Sequence, residues 1–178
     1  MTNKEKEYVE SVYEGAKVMD EYYKKFMEVT PKGKILDLGC GIGPVSNYLS
    51  EYGYDCVGYD IDEYHINMQR KYKPELNLFI GDMKNIPIQD EKANGAVYAY
   101  CLQNLSDEEI SESLNSCYQN LTNDGKILIY VVSKLHIIPS FYVNVIDEIK
   151  MKDLLNLAGF KILSLDYDED ILIVIASK

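Results

Sequence analysis

A chain of 178 residues is the size of one domain with a little to spare, since a second domain would need a core of its own. Hydrophobic residues make up 47% and charged residues 26%, which excludes a disordered or fibrous chain. With 18 basic and 29 acidic residues the net charge is −11, a surface that repels phosphate backbones and anionic lipid, so neither nucleic acid nor membrane is an expected partner.

Between Lys4 and Val29 apolar residues recur with the helical period at Tyr8/Val9, Val12/Tyr13, Ala16, Met19, Tyr22/Tyr23 and Phe26/Met27. Gly15 weakens or bends that helix, and Thr30 to Gly33 end it. Lys34 to Leu38 reads as a short buried strand, followed by the glycine turn Gly39-Cys40-Gly41-Ile42-Gly43. Pro44 suits the first turn of the next helix, where its missing N–H needs no partner, and Gly53 closes that helix. Cys56 to Tyr59 is a second strand ending at Asp60, Ile61 to Tyr72 a helix stopped by Pro74, and Leu76 to Ile80 a third strand ending in Gly81-Asp82-Met83. Ala96 to Cys101 is the fourth strand. Ser106, with Glu109 three residues on, has capping-box spacing and opens a helix to about Leu121. Asn123-Asp124-Gly125 reads as a turn, Lys126 to Ser133 as a fifth strand and Asp147 to Ala158 as a helix. Phe160 to Tyr167 and Ile171 to Ser177 form a hairpin across the acidic turn Asp168-Glu169-Asp170.

Apolar strands alternating with helices require a parallel sheet covered on both faces. The expectation is therefore an α/β fold: a Rossmann-like, doubly wound, mostly parallel seven-stranded sheet with a C-terminal antiparallel hairpin. One domain spans 1–178, with a helix over 1–30 and a core over 32–178. No stretch approaches the roughly 18–20 apolar residues of a membrane span. Residues 1–10 are polar and charged, unlike a signal peptide, so a cytoplasmic protein is expected. The cysteines at 40, 56, 101 and 117 lack zinc-site spacing; they read as reduced, packed thiols, and no metal is expected.

The sharpest signal is Asp37-Leu38-Gly39-Cys40-Gly41-Ile42-Gly43 with Asp60 closing the next strand. Glycines let the backbone approach a ligand closely, and the helix start aims N–H groups at it. An acid at the end of the second strand accepts hydrogen bonds from ribose hydroxyls. Asp37 lies between Leu36 and Leu38 in a buried strand, and a charge there requires a partner. Strand, turn, helix, strand and acid in this order indicate a nucleoside cofactor. A dinucleotide fingerprint wants a third glycine where Pro44 stands.

The D-x-G-x-G-x-G run resembles motif I of class I S-adenosylmethionine-dependent methyltransferases, in particular the small-molecule, type 11/25-like members. Tyr59-Asp60-Ile61 resembles the segment that follows that motif, and Gly81-Asp82-Met83 the adenine-contacting segment after the third strand. Leu121 to Lys126 resembles the turn before the fifth strand, and the terminal hairpin is the antiparallel element of that fold. The resemblance runs from about Lys32 to the C-terminus. It implies S-adenosyl-L-methionine as cofactor, with Gly39, Cys40, Gly41 and Gly43 along its methionine part and Asp37 organising the amino group. It implies Asp60 on the ribose, Ile61 on the adenine face, Asp82 and Met83 on the adenine edge, and Tyr100 and Leu102 flanking the sulfonium. Asp60 also suits the cap of the following helix, and Asp82 a turn.

Family members often carry His after the fourth strand. Here the sequence is Cys101-Leu102-Gln103-Asn104, so no general base is assigned. Methyl transfer from a sulfonium is mainly a matter of alignment, and an obvious base is not required. Acceptor-side candidates are Tyr13, Tyr23, Gln103, His136 and Tyr142, while His65 reads as a surface residue. Related enzymes fold a Tyr-rich N-terminal helix over the cofactor as a lid. With no inserted acceptor domain, a small-molecule acceptor is expected, in a monomer or homodimer. A protein or RNA acceptor, or a non-catalytic cofactor-binding module, are the alternatives.

Overall fold

In a computed structural model of the chain, residues 2–88, 90–133 and 144–178 are described. The N-terminal segment is two helices, α1 (Asn3–Ala16) and α2 (Asp20–Val29), joined by a single 3-10 turn over Lys17–Met19. The expected single helix is therefore broken, two residues beyond Gly15. A capping box starts α1: Thr2 accepts from the Glu5 N–H while Glu5 reaches back to Thr2.

The core then runs β1 (Lys34–Leu38), α3 (Pro44–Glu51), β2 (Asp55–Asp60), α4 (Glu63–Tyr72), β3 (Asn77–Ile80), β4 (Ala93–Ala99), α5 (Asp107–Asn120), β5 (Leu121–Val132), α6 (Glu148–Leu157), β6 (Lys161–Asp168) and β7 (Ile171–Ser177). One seven-stranded sheet has the order β3-β2-β1-β4-β5-β7-β6. The first five strands pair parallel, and β7 inserts antiparallel between β5 and β6. Strand order reverses between β1 and β4, and in open α/β sheets the crevice at such a switch point holds the ligand.

Period-two alternation puts the sheet's two faces into two cores. Ile35, Val97, Leu128 and Tyr130 pack with Phe26, Val45 and Leu49 from α2 and α3. Leu36, Leu38, Ala96, Tyr98 and Ile129 pack on the other face with Ile110, Leu114 and Leu155 from α5 and α6. Asp37 has the parity of Ile35 and so points toward α3.

Several boundaries differ from the sequence reading, and three of the differences have a clear local cause. Helix α4 starts at Glu63 rather than Ile61, because Asp62 caps it by accepting from the Tyr64 N–H. Strand β4 covers Ala93–Ala99, not Ala96–Cys101: Tyr100 has φ +56° and turns the chain out of the sheet. The segment read as a turn at Asn123 to Gly125 is an irregularity inside β5. The register jumps from Ala93↔Leu121 to Gly95↔Lys126 there. All four cysteines are buried free thiols, and no described helix is long and apolar enough to cross a membrane.

Candidate functional site at the carboxyl edge of the sheet

The chain leaves β1 through a turn pinned to β2: the Gly39 and Cys40 N–H groups both donate to the Tyr59 carbonyl, at 2.8 and 3.2 Å. Gly39, Gly41 and Gly43 have φ of +74°, +54° and +78°, the left-handed region that side chains resist. A Cβ on Gly39 would lie 2.5 Å from Cys101 Cβ, and one on Gly43 2.5 Å from Leu78 Cδ1. Gly41 differs: a Cβ there would meet nothing within 4 Å, so space lies directly over its backbone. The Cys40 side chain turns inward among Ile66 and Leu78, and burial pushes its thiol well above the usual range.

Asp37 is 1% exposed at the end of β1. Its Oδ2 accepts from the Ser46 N–H at 3.0 Å and the Ser46 hydroxyl at 2.7 Å, on the first turns of α3. Its Oδ1 is buried with no partner. Burial raises its pKa to about 6, against the lowering effect of the two Ser46 hydrogen bonds, and the Asp60 charge adds to the rise. A buried carboxylate with one free oxygen wants a cationic donor.

Asp60 ends β2 and spans both elements: Oδ2 accepts from Gly41 N–H at 2.6 Å and Oδ1 from Asp62 N–H at 2.8 Å. Ile61 beside it is 74% exposed. Asp82 accepts from the Lys84 N–H at 2.9 Å and caps a 3-10 turn over Met83–Asn85. The Met83 side chain reaches back to Gly39, its Cε 3.0 Å from where a Cβ would sit.

Above the glycine turn lies a cavity of about 280 Å³, roofed by α1 and the 3-10 turn. Val12 and Met19 from the roof and Ala99 and Val45 from the floor make its walls mostly apolar. The roof is fixed by the Tyr13 hydroxyl, which donates to the Ile42 carbonyl at 2.7 Å, and by Val9 packing on Ile42 and Met68. Tyr13 therefore holds the roof from outside; it does not line the cavity. Tyr23 and Tyr100 do line it, and burial raises both phenols. Tyr100 stacks on Tyr130 at 6.0 Å.

Other candidates fall elsewhere. Leu102 is 0% exposed in the core packed on α5, which corrects its expected place beside the sulfonium: its side chain presents no surface to the cavity. Gln103 is buried; its Nε2 donates to the Tyr100 carbonyl at 2.8 Å, and its Oε1 is unpartnered. His136 and Tyr142 lie outside the described residues. His65 is not simply a surface residue: its half-buried ring lines the cavity opposite α1. Sequence periodicity could not show this, because the roof over it comes from a segment more than fifty residues earlier. Ser46, the partner of Asp37, was also missed; its signal is a small hydroxyl two residues into the helix after the turn. Among the described residues no three His, Cys, Asp or Glu side chains are grouped to hold a metal.

The positive-φ turn, the acid closing β2 and the switch-point crevice define a Rossmann-like nucleoside-cofactor protein. The profile described as "Methyltransferase domain" matches residues 35–125, just over half of the chain, which belongs to that family: the class I S-adenosylmethionine-dependent methyltransferases. A Mycolicibacterium smegmatis protein named as an S-adenosylmethionine-dependent methyltransferase is 21% identical over 72% of this chain and 52% of its own length. The chain spans about half the length of the first curated relatives it matches. Among solved structures, the PH0226 protein of Pyrococcus horikoshii superposes with a TM-score of 0.82 at 20% identity, covering 93% of this chain and 90% of that one. The glycopeptide N-methyltransferase MtfA, solved with S-adenosyl-L-methionine, gives 0.73 at 14% identity over 88% and 85%.

Proposed function

We propose that the protein is a methyltransferase that binds S-adenosyl-L-methionine in this crevice and methylates a small molecule. The observation that carries this reading is the unpartnered Oδ1 of buried Asp37, on the strand that runs into a glycine turn with open space over Gly41. Those residues fit the cofactor: the amino-acid moiety offers an ammonium to Asp37 and the ribose offers hydroxyls to Asp60. When bound, the cofactor supplies an electrophilic methyl on a positive sulfonium.

The chain's contribution is placement. The glycine turn admits the ligand against its backbone, Asp37 anchors the cationic end, and α1 with Met19 roofs the cavity with apolar side chains. Tyr23 and Tyr100 give the cavity an aromatic wall at its floor, where the rings favour a sulfonium cation. Tyr13, by holding the roof on Ile42, positions it. In this reading Gln103 presents a free carbonyl oxygen to an acceptor's N–H or O–H. Burial disfavours the charged forms of Cys40, Tyr23 and Tyr100, which works against a general-base role for them.

The net charge of −11 supports a small-molecule acceptor rather than RNA, and the glycopeptide activity named for MtfA is in keeping with that. Calorimetry with S-adenosylmethionine and S-adenosylhomocysteine tests the cofactor. A labelled-methyl screen of metabolites, with protein and RNA fractions as separate arms, tests the acceptor. No heat with either compound would sink the reading, and label recovered only in macromolecules would replace its acceptor class.

A further inference from the structure

His65 is left over once the family motifs have been placed, and the fold puts it in the cavity. It sits in the first turn of α4, five residues past Asp60, and shares the cavity wall with Gly41 below and Tyr8 and Val12 above. Its ring is fixed from two sides. Nδ1 lies 3.2 Å from Asp62 Oδ2, and the face stacks on Tyr8 with centroids 6.5 Å apart and planes 17° from parallel. Asp62 is itself held, its Oδ1 accepting from the Tyr64 N–H. A carboxylate on Nδ1 leaves Nε2 as the free nitrogen, oriented before any ligand arrives. Two ring contacts join α1 to α4, the edge contact of Tyr13 on Tyr72 at 5.6 Å and the Tyr8–His65 stack, and the second lies in the cavity wall, so that pair clasps roof to wall.

We propose that His65 is a cofactor-contacting residue: aimed by Asp62 and clasped by Tyr8, it closes the ribose end of the cavity and sets how slowly a bound adenosyl compound leaves. The inference rests on the cofactor reading above. Nε2 of a neutral imidazole accepts a hydrogen bond and that of a protonated one donates, and a ribose hydroxyl satisfies either. Asp60, the proposed ribose acceptor, bonds the N–H of Gly41, which shares the cavity wall with His65. The clasp explains why α1 carries an aromatic at position 8 facing α4 although much of that ring is exposed to water.

The test is stopped-flow and calorimetric binding of S-adenosylhomocysteine to the full chain. His65→Ala and Tyr8→Leu are each expected to weaken binding about tenfold, mostly through a faster off-rate. The double variant should be hardly worse than either single one, because the two rings act as one unit. Asp62→Asn is expected to show a smaller loss of the same kind. Thermal midpoints without ligand should stay within a few degrees of the parent, which separates the clasp from a folding defect. Unchanged off-rates in both single variants, or fully additive losses, would overturn the proposal while leaving the cofactor assignment intact. Failure of the parent protein to bind the compound at all would overturn both.

Discussion

The two ends of the crevice are built on different principles. At the closed end, around Asp37 and Gly39, the backbone is locked by left-handed glycines, the carboxylate is buried, and one of its oxygens has no partner. At the open end, Asp60 and Asp82 already accept backbone N–H groups, and Ile61 stands in solvent. One end stores an unsatisfied demand for a ligand; the other is satisfied without one and must share its acceptors. In the proposed reading the closed end governs whether the cofactor binds, and the open end adjusts how well.

The largest effects should come from the glycine turn, where the comparison can be broken outright. Gly39→Ala adds a Cβ that overlaps Cys101 and forces alanine to φ +74°. A loss of about 3 kcal/mol is expected from strain plus overpacking, read as a thermal midpoint lower by roughly 10 °C. Gly41→Ala, with open space above it, should cost only about 1–2 kcal/mol of stability. Its affinity for S-adenosylhomocysteine should nevertheless fall sharply, because the added methyl occupies ligand space. If Gly41→Ala bound normally, the cofactor would not lie over the turn.

Asp37→Asn comes next and acts on two quantities with opposite sign. In the parent, burial holds this acid at about 6, above its unfolded value, so the folded state binds the proton more tightly. The resulting penalty is absent well below pH 4, grows between pH 4 and 6 and is nearly complete above pH 6, amounting to about 3 kcal/mol at most. The variant should therefore come close to the parent's stability at pH 4 and exceed it at pH 8. Binding of S-adenosylhomocysteine should fall by roughly 30-fold or more, since a charge-assisted hydrogen bond is lost. In the parent, an ammonium on Oδ1 favours the ionised form, so binding releases a proton. Affinity should then climb as pH rises through 6 and level off above it. A flat profile between pH 5 and 7.5 would remove Asp37 from the cofactor's cationic end.

Much of the closed end was legible in the sequence because its causes are local. A charged residue between leucines, glycines at alternate positions and Pro44 at a helix start each have a physical reason within a few residues. Strand β1 and the acid ending β2 followed for the same reason. What escaped depends on distant partners. The bend at Tyr100 is paired with Tyr130, thirty residues on, whose carbonyl accepts the Tyr100 N–H. The irregularity in β5 depends on register with β4, and His65 reads as surface until α1 is laid across it. Leu102 was misplaced because the strand stopped two residues early, sending that side chain into the core rather than the crevice.

The open end should respond less, and in graded fashion. Asp60→Ala removes the proposed ribose acceptor and also frees the Gly41 N–H, so roughly tenfold weaker binding is expected with a modest loss of stability. Ile61→Ala is the smallest change and the cleanest, since a side chain 74% exposed without ligand contributes little to the fold. Its worth appears only when an adenine ring covers it. At about 25 cal/mol per Å², the few tens of Å² lost by truncation amount to roughly 0.5–1 kcal/mol, a two- to fivefold rise in Kd. The matching measurement is the thermal midpoint, which should not move. A variant with parental affinity would mean that the base lies elsewhere, and the open end would then hold the ribose alone.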